Sequence, residues 1–505
     1  MKSSIWSKLV AIGLLPILIA TIISAFSGAV SADTTPSTVT VTLHMRAFET
    51  GQVPANKENS GVIDNDFGGT PLANVTVTAY DVTAQYLRLR QTGQTAQNTV
   101  ATMQQDAQKT VPSYATKLSD ATTGQDGNAT FANLAAKDGD KDKVYLFLET
   151  NSSSNITQRA TPSVLALPIY QPGSDMQINP NIHIYPKNEQ TNAFSKDLTA
   201  QSKADLTVNL PDGSKIYNAT IGQTFSYQLQ VAVPWNIQDK STFNVVDTPN
   251  LGIDDVASTV KIDGLVQGTD YQVTATTATA KDGKGFRITF NPKTARMTAM
   301  AGKQLVVAYD ATLTKAAAPE KGLTNAATFT VDQEVVTTEG DGLKIYTGGA
   351  TFVKVDKQSQ ARLAGAVFQL VKVDQQENII AYANQAADGS YQWGTSANQA
   401  TRYVTDSQGM LHLQNLIYSA KLPNNQHYAL LEIQAPTGYA RLAKPVPFNV
   451  AKGSYATAQT MTIENTKKGL LPATGGVGVY IFFGMGVILM AGAVWWYKKN
   501  TRSNV

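Results

Sequence analysis

The chain has 505 residues, too many for one core and enough for about three domains of ordinary size. It carries 41 Lys and Arg against 38 Asp and Glu, but two of the basic residues lie in the first 32 positions and three lie beyond Thr474. Neither end holds an acid, so the segment between them has 36 basic and 38 acidic residues, a net −2. That balance leaves no basic stripe for nucleic acid, and the lack of any cysteine excludes thiolate chemistry and disulfide staples.

Residues 1–32 read as a processing signal. Lys2 and Lys8 precede an apolar run from Leu9 to about Ile23, and small residues follow, ending Val30-Ser31-Ala32. This is the pattern of a secretory signal peptide cleaved after Ala32, and it predicts an exported chain.

From Asp33 to Thr474 the chain is rich in Thr, Val, Ala, Gln and Asn. Short alternating runs recur at Thr38–Leu43, Val75–Tyr80, Phe225–Val231, Phe286–Phe290, Leu305–Tyr309, Phe352–Val355 and Val367–Val373. Gly, Asp, Asn and Pro clusters separate them. The pattern predicts an all-β chain of tandem immunoglobulin-like β-sandwich domains. One stretch, Gln85 to about Gln108, lacks strand signals and predicts a helical insertion.

An internal repeat divides this region. Thr123-Gly-Gln-Asp-Gly127 runs on to Asn133-Leu134, and Thr405-Asp-Ser-Gln-Gly409 runs on to Asn415-Leu416 with the same spacing. Tyr145-Leu-Phe-Leu-Glu149 matches Tyr428-Ala-Leu-Leu-Glu432, and Leu72-Ala-Asn-Val75 resembles Leu363-Ala-Gly-Ala366. A first domain (33–187) and a last domain (349–470) of the same kind are therefore expected. A differently patterned domain (188–348) stands between them, with Gly-rich stretches at 340–342 and 347–349 as its boundary.

The C-terminus carries a second signal. Leu471-Pro472-Ala473-Thr474-Gly475 precedes an uncharged run, Val477 to Tyr497, followed by Lys498, Lys499 and Arg502. That run is long enough for a transmembrane helix, and the basic end places it inside the cell.

The pentapeptide, apolar span and basic tail together resemble the sorting signal of sortase substrates. The resemblance implies cleavage between Thr474 and Gly475, with Thr474 held as a thioester on a membrane transpeptidase and then passed to an amine. Ile184-Tyr185-Pro186-Lys187-Asn188 looks like the pilin motif of sortase-assembled major pilins of Gram-positive bacteria. Tyr428-x-Leu430-x-Glu432-x-x-Ala435-Pro436-x-Gly438-Tyr439 looks like their E-box. The order of signals and domains is similar to that family over essentially the whole chain. The resemblance implies Cna A-like folding of the middle domain and Cna B-like folding of the last. It also implies a role for Lys187, whose amine would take Thr474 of the next subunit into an intermolecular amide. That role asks for an exposed amine able to lose its proton.

The same resemblance implies internal Lys–Asn isopeptide bonds. A buried lysine loses its proton through desolvation, attacks an Asn side-chain carbonyl and expels ammonia, helped by a neighbouring carboxyl group. In the last domain the expected set is Lys354, Asn465 and the acid Glu432. In the middle domain it is Lys196, Asn325 and the acid Asp247, with Lys203 as a competing nucleophile. The first domain keeps Glu149 and Asn188 but has no lysine in Val39–Met45, and Arg46 stands where one is expected. Arginine stays protonated and cannot attack, so no internal bond is expected there.

The four histidines, His44, His183, His412 and His427, show no metal-ligand spacing. No metal, cofactor or enzymatic triad is expected. The resemblance implies a wall-anchored shaft subunit. Its expected partners are a pilin-specific and a housekeeping sortase, copies of itself, minor basal and tip pilins, peptidoglycan, and host matrix or mucus proteins. The competing reading is a monomeric wall-anchored adhesin or an ancillary pilin.

Overall fold

The computed structural model describes residues 36–174, 176–338, 342–469 and 477–501. The signal peptide expected at 1–32, part of the boundary expected at 340–342, and all of Leu471, Pro472, Ala473, Thr474 and Gly475 lie outside the described residues. The described chain is mostly β, and it divides into two compact units, one ending at Tyr346 and one beginning at Thr347.

The first unit holds two large apolar cores. One is built from Thr38 to Ile184, where the strand Thr38–His44 lies antiparallel to Asn128–Ala135 and parallel to Asn181–Ile184. Its burial alternates along the strand, with Val39, Val41 and Leu43 inward, because successive side chains of an extended chain face opposite ways. The chain passes through Met45 and continues as Arg46–Glu49, parallel to Lys187–Gln190 in the same register that pairs Thr40–Leu43 with Asn181–Ile184. A further sheet runs Ser163–Ala166, Val144–Asn151, Thr76–Asp81, Thr116–Thr122.

The helical insertion is a helix pair, Thr83–Gln91 and Ala96–Lys109. Thr95 caps the second by accepting the Asn98 amide at 3.2 Å. Met103 and Ala107 pack on Tyr80, Val82, Val144, Leu146 and Leu148, which covers the outer face of the central strand.

The second core of this unit lies between two sheets. One runs Phe194–Leu198, Thr224–Ala232, Gln304–Leu313, Ile253–Ile262. The other runs Tyr271–Ala275, Phe286–Phe290, Phe243–Pro249, Asn325–Val331, Glu334–Thr338. Phe225, Tyr227, Phe243, Phe286, Tyr309 and Phe329 fill the space between them. Each such side chain contributes about 1.5–3 kcal/mol by leaving water. The two cores are tied by polar contacts. Trp235 Nε1 donates to Ser152 Oγ at 2.8 Å, the Arg159 guanidinium lies 4.5 Å from the Trp235 ring, and Glu334 accepts the Ser154 amide and hydroxyl, each at 2.8 Å.

The second unit opens with Gly348–Asp356, which pairs parallel to Met461–Asn465 and antiparallel to Met410–Leu416. Against it stands a six-stranded sheet built around Val367–Val373 and His427–Gln434. First and last strands are thus neighbours.

The last element is the helix Val477–Thr501, whose described apolar side chains, from Phe483 to Tyr497, are exposed on all faces. Where the sequence predicts a transmembrane span the structure has a C-terminal helix. Among the described residues no helix is long and apolar enough to cross a membrane.

Candidate functional sites and family membership

Lys354 sits on the first strand of the second unit, Glu432 on a central strand and Asn465 at the end of the last strand. All three are buried, with Lys354 and Asn465 1 % exposed and Glu432 not at all. The alternation of Gly348–Asp356 turns Lys354 inward beside Phe352, so a charged residue enters the core because of its register. Its Nζ stands 3.7 Å from Glu432 Oε1 and donates to the Ile463 carbonyl at 3.2 Å. Glu432 Oε2 accepts the Asn465 side-chain amide at 3.1 Å and the Leu442 backbone amide at 2.7 Å. Asn465 also donates to the Ala440 carbonyl at 2.7 Å, while its own Oδ1 has no hydrogen-bond partner. Burial pulls the Lys354 amine down to about 8, against the opposing charge of Glu432.

The middle site is drier. Lys196 Nζ donates to both Asp247 oxygens, at 2.8 and 2.7 Å, and neither side chain reaches solvent. The Tyr309 hydroxyl donates to Asp247 Oδ2 at 2.9 Å. The Asn325 amide donates to Asp255 Oδ1 at 3.0 Å and to the Tyr309 oxygen at 3.3 Å, leaving Asn325 Oδ1 without a partner. Lys196 lies 4.9 Å from the Tyr227 ring and 5.5 Å from the Tyr309 ring. Desolvation lowers its amine below the usual lysine range, and burial together with the nearby Asp247 charge raises Asp255 well above the carboxylate range. Lys203 is outside this cluster, partly exposed and paired with Asp197.

Sequence reading missed Asp255 and Tyr309. The signal was present as alternation: Ile253-Asp-Asp255 and Leu305–Tyr309 each turn one polar or phenolic residue inward among apolar ones.

Lys187 begins the strand that closes the first core. It is only partly exposed, contrary to the expectation of a free amine. Its Nζ donates to the carbonyls of Pro54 and Lys57, at 2.7 and 2.6 Å, and lies 5.6 Å from the Phe67 ring. The loop after Glu49 folds back over it because Tyr185 anchors that loop. Tyr185 stacks on His44 and Phe67, at 4.4 and 4.5 Å between ring centres, its hydroxyl accepts the Asp64 amide, and its own amide donates to Asn59. Desolvation lowers the Lys187 amine below its ordinary value.

In the first domain the position expected for a nucleophile is not Arg46. The Arg46 guanidinium lies 5.9 Å from the Tyr185 ring, and the residue whose backbone hydrogen bonds match those of Lys354 is Met45. Glu149 and Asn188 are both buried there. Among the described residues no group of His, Asp or Glu is arranged to hold a metal.

Residues 36–189 match the family described as Gram-positive pilin subunit D1, N-terminal domain. Residues 348–467 match the prealbumin-like fold domain, and residues 463–504 match the LPXTG cell wall anchor motif. The chain is 24% identical to a fimbrial subunit type 2 of Actinomyces naeslundii, over 86% of this chain and 84% of that one. It is 26% identical to a fimbrial subunit type 1 of Actinomyces viscosus, over 90% of this chain and 87% of that one. The fold is similar to that of the full-length RrgB pilus protein of Streptococcus pneumoniae, with a TM-score of 0.51 at 16% identity, covering 87% of this chain and 99% of that one. With a pilin N-terminal domain, a prealbumin-like domain and a wall anchor in this order on one chain, the protein is a Gram-positive pilin subunit, anchored to the cell wall through an LPXTG motif.

Proposed function

We propose that the subunit polymerises through an amide between Thr474 of one copy and Lys187 of the next, made by a pilin-specific sortase. The observation that carries this reading is the setting of Lys187: a lysine with a lowered amine, seated at the end of the N-terminal pilin domain beside the buried Tyr185. A lower amine value leaves more of the neutral, nucleophilic form at neutral pH. The loop carrying Pro54, Lys57 and Phe67 must give way before an enzyme can reach it.

On this reading the apolar C-terminal helix with its basic end holds the precursor at the membrane until Thr474 is transferred, and a housekeeping sortase attaches the finished shaft to peptidoglycan. Minor basal and tip pilins complete the fibre, and the shaft supports adhesion to host matrix or mucus proteins. The chain is read as Cna-type immunoglobulin-like domains over 33–187, 188–348 and 349–470.

Two internal amides are part of the proposal. At Lys354 the neutral amine attacks the Asn465 side-chain carbon. Glu432 lies between the amine and the departing nitrogen, 3.7 Å from one and 3.1 Å from the other, and can carry the proton across. At Lys196 the amine attacks the Asn325 side-chain carbon and gives its proton to Asp247, Asp255 and Tyr309 hold the Asn325 amide in place, and the Cγ–Nδ2 bond breaks as its nitrogen takes the proton and leaves as ammonia.

The test is a denaturing immunoblot of wall extracts from cells carrying wild type or Lys187→Ala. A high-mass ladder that collapses to monomer in the variant is expected. A ladder that survives removes Lys187 from the linkage, and a wild-type monomer with its sortase present would favour the monomeric adhesin.

A further inference from the structure

The N-terminal domain reproduces the backbone frame of the Lys354 site. The Thr123 hydroxyl donates to the Leu72 carbonyl at 2.7 Å and accepts the Val75 amide at 3.0 Å, while the Thr405 hydroxyl does the same with Leu363 and Ala366, at 3.0 Å each. Gly127 and Gly409 both take left-handed conformations, with φ of 74° and 69°. The Gly127 carbonyl accepts the Met45 amide at 2.7 Å, and the Gly409 carbonyl accepts the Lys354 amide at 2.8 Å. In turn the Met45 carbonyl accepts the Leu72 amide at 3.1 Å, and the Lys354 carbonyl accepts the Leu363 amide at 2.8 Å.

The other two positions correspond as well. Asn188 lies opposite Ala47 across a parallel pair, and Asn465 lies opposite Asp356, in both cases two residues beyond Met45 or Lys354. Glu149 pairs with Val77 and Glu432 with Phe368, at matching places on the central strands.

The first-domain groups are held without a use. Glu149 is 4 % exposed, and neither of its carboxyl oxygens has a hydrogen-bond partner, although Ser152, the Ala160 amide and Asn188 surround it. Burial pushes its carboxyl up to about 7. Asn188 is fully buried. Its Oδ1 accepts the Ala160 amide at 2.8 Å and its Nδ2 is unpartnered. An unpartnered buried carboxyl and amide are costly to keep, and a backbone N–H on the amide oxygen is the contact that would steady a tetrahedral adduct there.

We infer that the N-terminal domain contains a third amide-forming site, complete in acid and acceptor, in which Met45 occupies the place of the nucleophile. This rests on the reading of Lys354, Glu432 and Asn465 as a bond-forming set. Methionine and lysine are both unbranched, and methionine ends one atom short of the lysine nitrogen, so an introduced amine needs little new space. Position 45 is 1 % exposed, and such burial would favour the neutral form of an introduced lysine. The amine nitrogen would bond to Asn188 Cγ, the Cγ–Nδ2 bond would break, and Glu149 would pass the amine proton to the departing nitrogen. Ammonia leaves, and no oxidant or cofactor is involved.

The experiment compares intact masses of the mature chain, Asp33 to Thr474, as wild type, Met45→Lys, Met45→Lys with Glu149→Gln, and Met45→Lys with Asn188→Asp. Relative to the change in residue mass, Met45→Lys should lose one ammonia more than wild type, with a proteolytic fragment joining positions 45 and 188. The Glu149→Gln double variant should show no extra loss, and the Asn188→Asp double variant should lose water instead. A Met45→Lys protein with the wild-type deficit overturns the inference. So does one that fails to fold by circular dichroism, since the site is claimed to accept the chain. Wild type with no ammonia deficit would instead sink the Lys354 reading, and the difference between wild type and variant still reports on position 45.

Discussion

Lys196 Nζ lies 2.7 and 2.8 Å from the two carboxyl oxygens of Asp247, and both side chains are sealed from solvent. An ion pair in such a place gains little, because removing both charges from water costs about as much as their attraction returns. Consumption of the amine in an amide removes that cost. Asp247→Ala should therefore do two things. The intact mass should rise by one ammonia after allowing for the residue change, and the middle domain should lose about 3–5 kcal/mol, the cost of a buried unpaired charge. Mass spectrometry and a denaturant titration check both, and an unchanged ammonia deficit would remove Asp247 from the chemistry.

The Lys354 site makes a prediction in pH. With its amine pulled down to about 8, the reactive neutral form grows as pH rises through that value and then saturates. The rate of ammonia loss on refolding a freshly denatured, unreacted chain should follow the same curve. The unreactive Asn465→Ala variant reports the linkage directly. Its folded lysine loses the proton at a lower pH than the unfolded one, so the unfolded state binds more protons between about 8 and 10.4, and stability should climb over that window. A urea midpoint that is flat from pH 7 to 10, roughly the same window, would contradict the shift.

The wall anchor is tested by removal. Deleting Gly475–Val505 takes away the match to the anchor motif beyond Thr474 along with the C-terminal helix. The protein should then appear in the culture medium, free of wall material, by fractionation and immunoblot. Retention in the wall fraction would contradict anchoring through this signal.

The N-terminal domain should be the weakest part against heat and protease. With Met45 in the nucleophile's place it should form no internal amide, and the buried Glu149 carboxyl and Asn188 Nδ2, which lack hydrogen-bond partners, lower its stability. Limited trypsin digestion of wild type should cut first within 36–186 and leave the C-terminal unit intact on a denaturing gel.

Much of this was legible in the sequence where one physical rule dominates. The runs Phe286–Phe290 and Val367–Val373 are strands over the bounds expected, and in the first the alternation of buried and exposed residues fixes the register. Phe225–Val231 lies inside a longer strand, Thr224–Ala232. Lys354, Glu432 and Asn465 are brought together, as the repeat and the E-box pattern suggest. Three things were hidden. It is Met45, one residue before Arg46, that makes the backbone hydrogen bonds Lys354 makes, and nothing in the composition of that strand marks it. Asp255 joins its site across 70 residues from Asn325, a distance that only the pairing of sheets closes. The cover over Lys187 comes from a loop whose composition carries no sign of what it folds onto.

The position of Lys187 has a mechanical consequence. It opens the strand Lys187–Gln190, the last strand of the pilin domain, just before the middle sandwich begins. If the neighbouring subunit is fastened there and the next at Thr474, tension travels along the backbone from 187 to 474. Residues 36–186 then hang beside the stressed line, like a bead tied to a rope rather than threaded on it. The stretch under tension is the one that carries Lys196 with Asn325 and Lys354 with Asn465, while the domain lacking a nucleophile meets the line of pull only through its last strand, Lys187–Gln190.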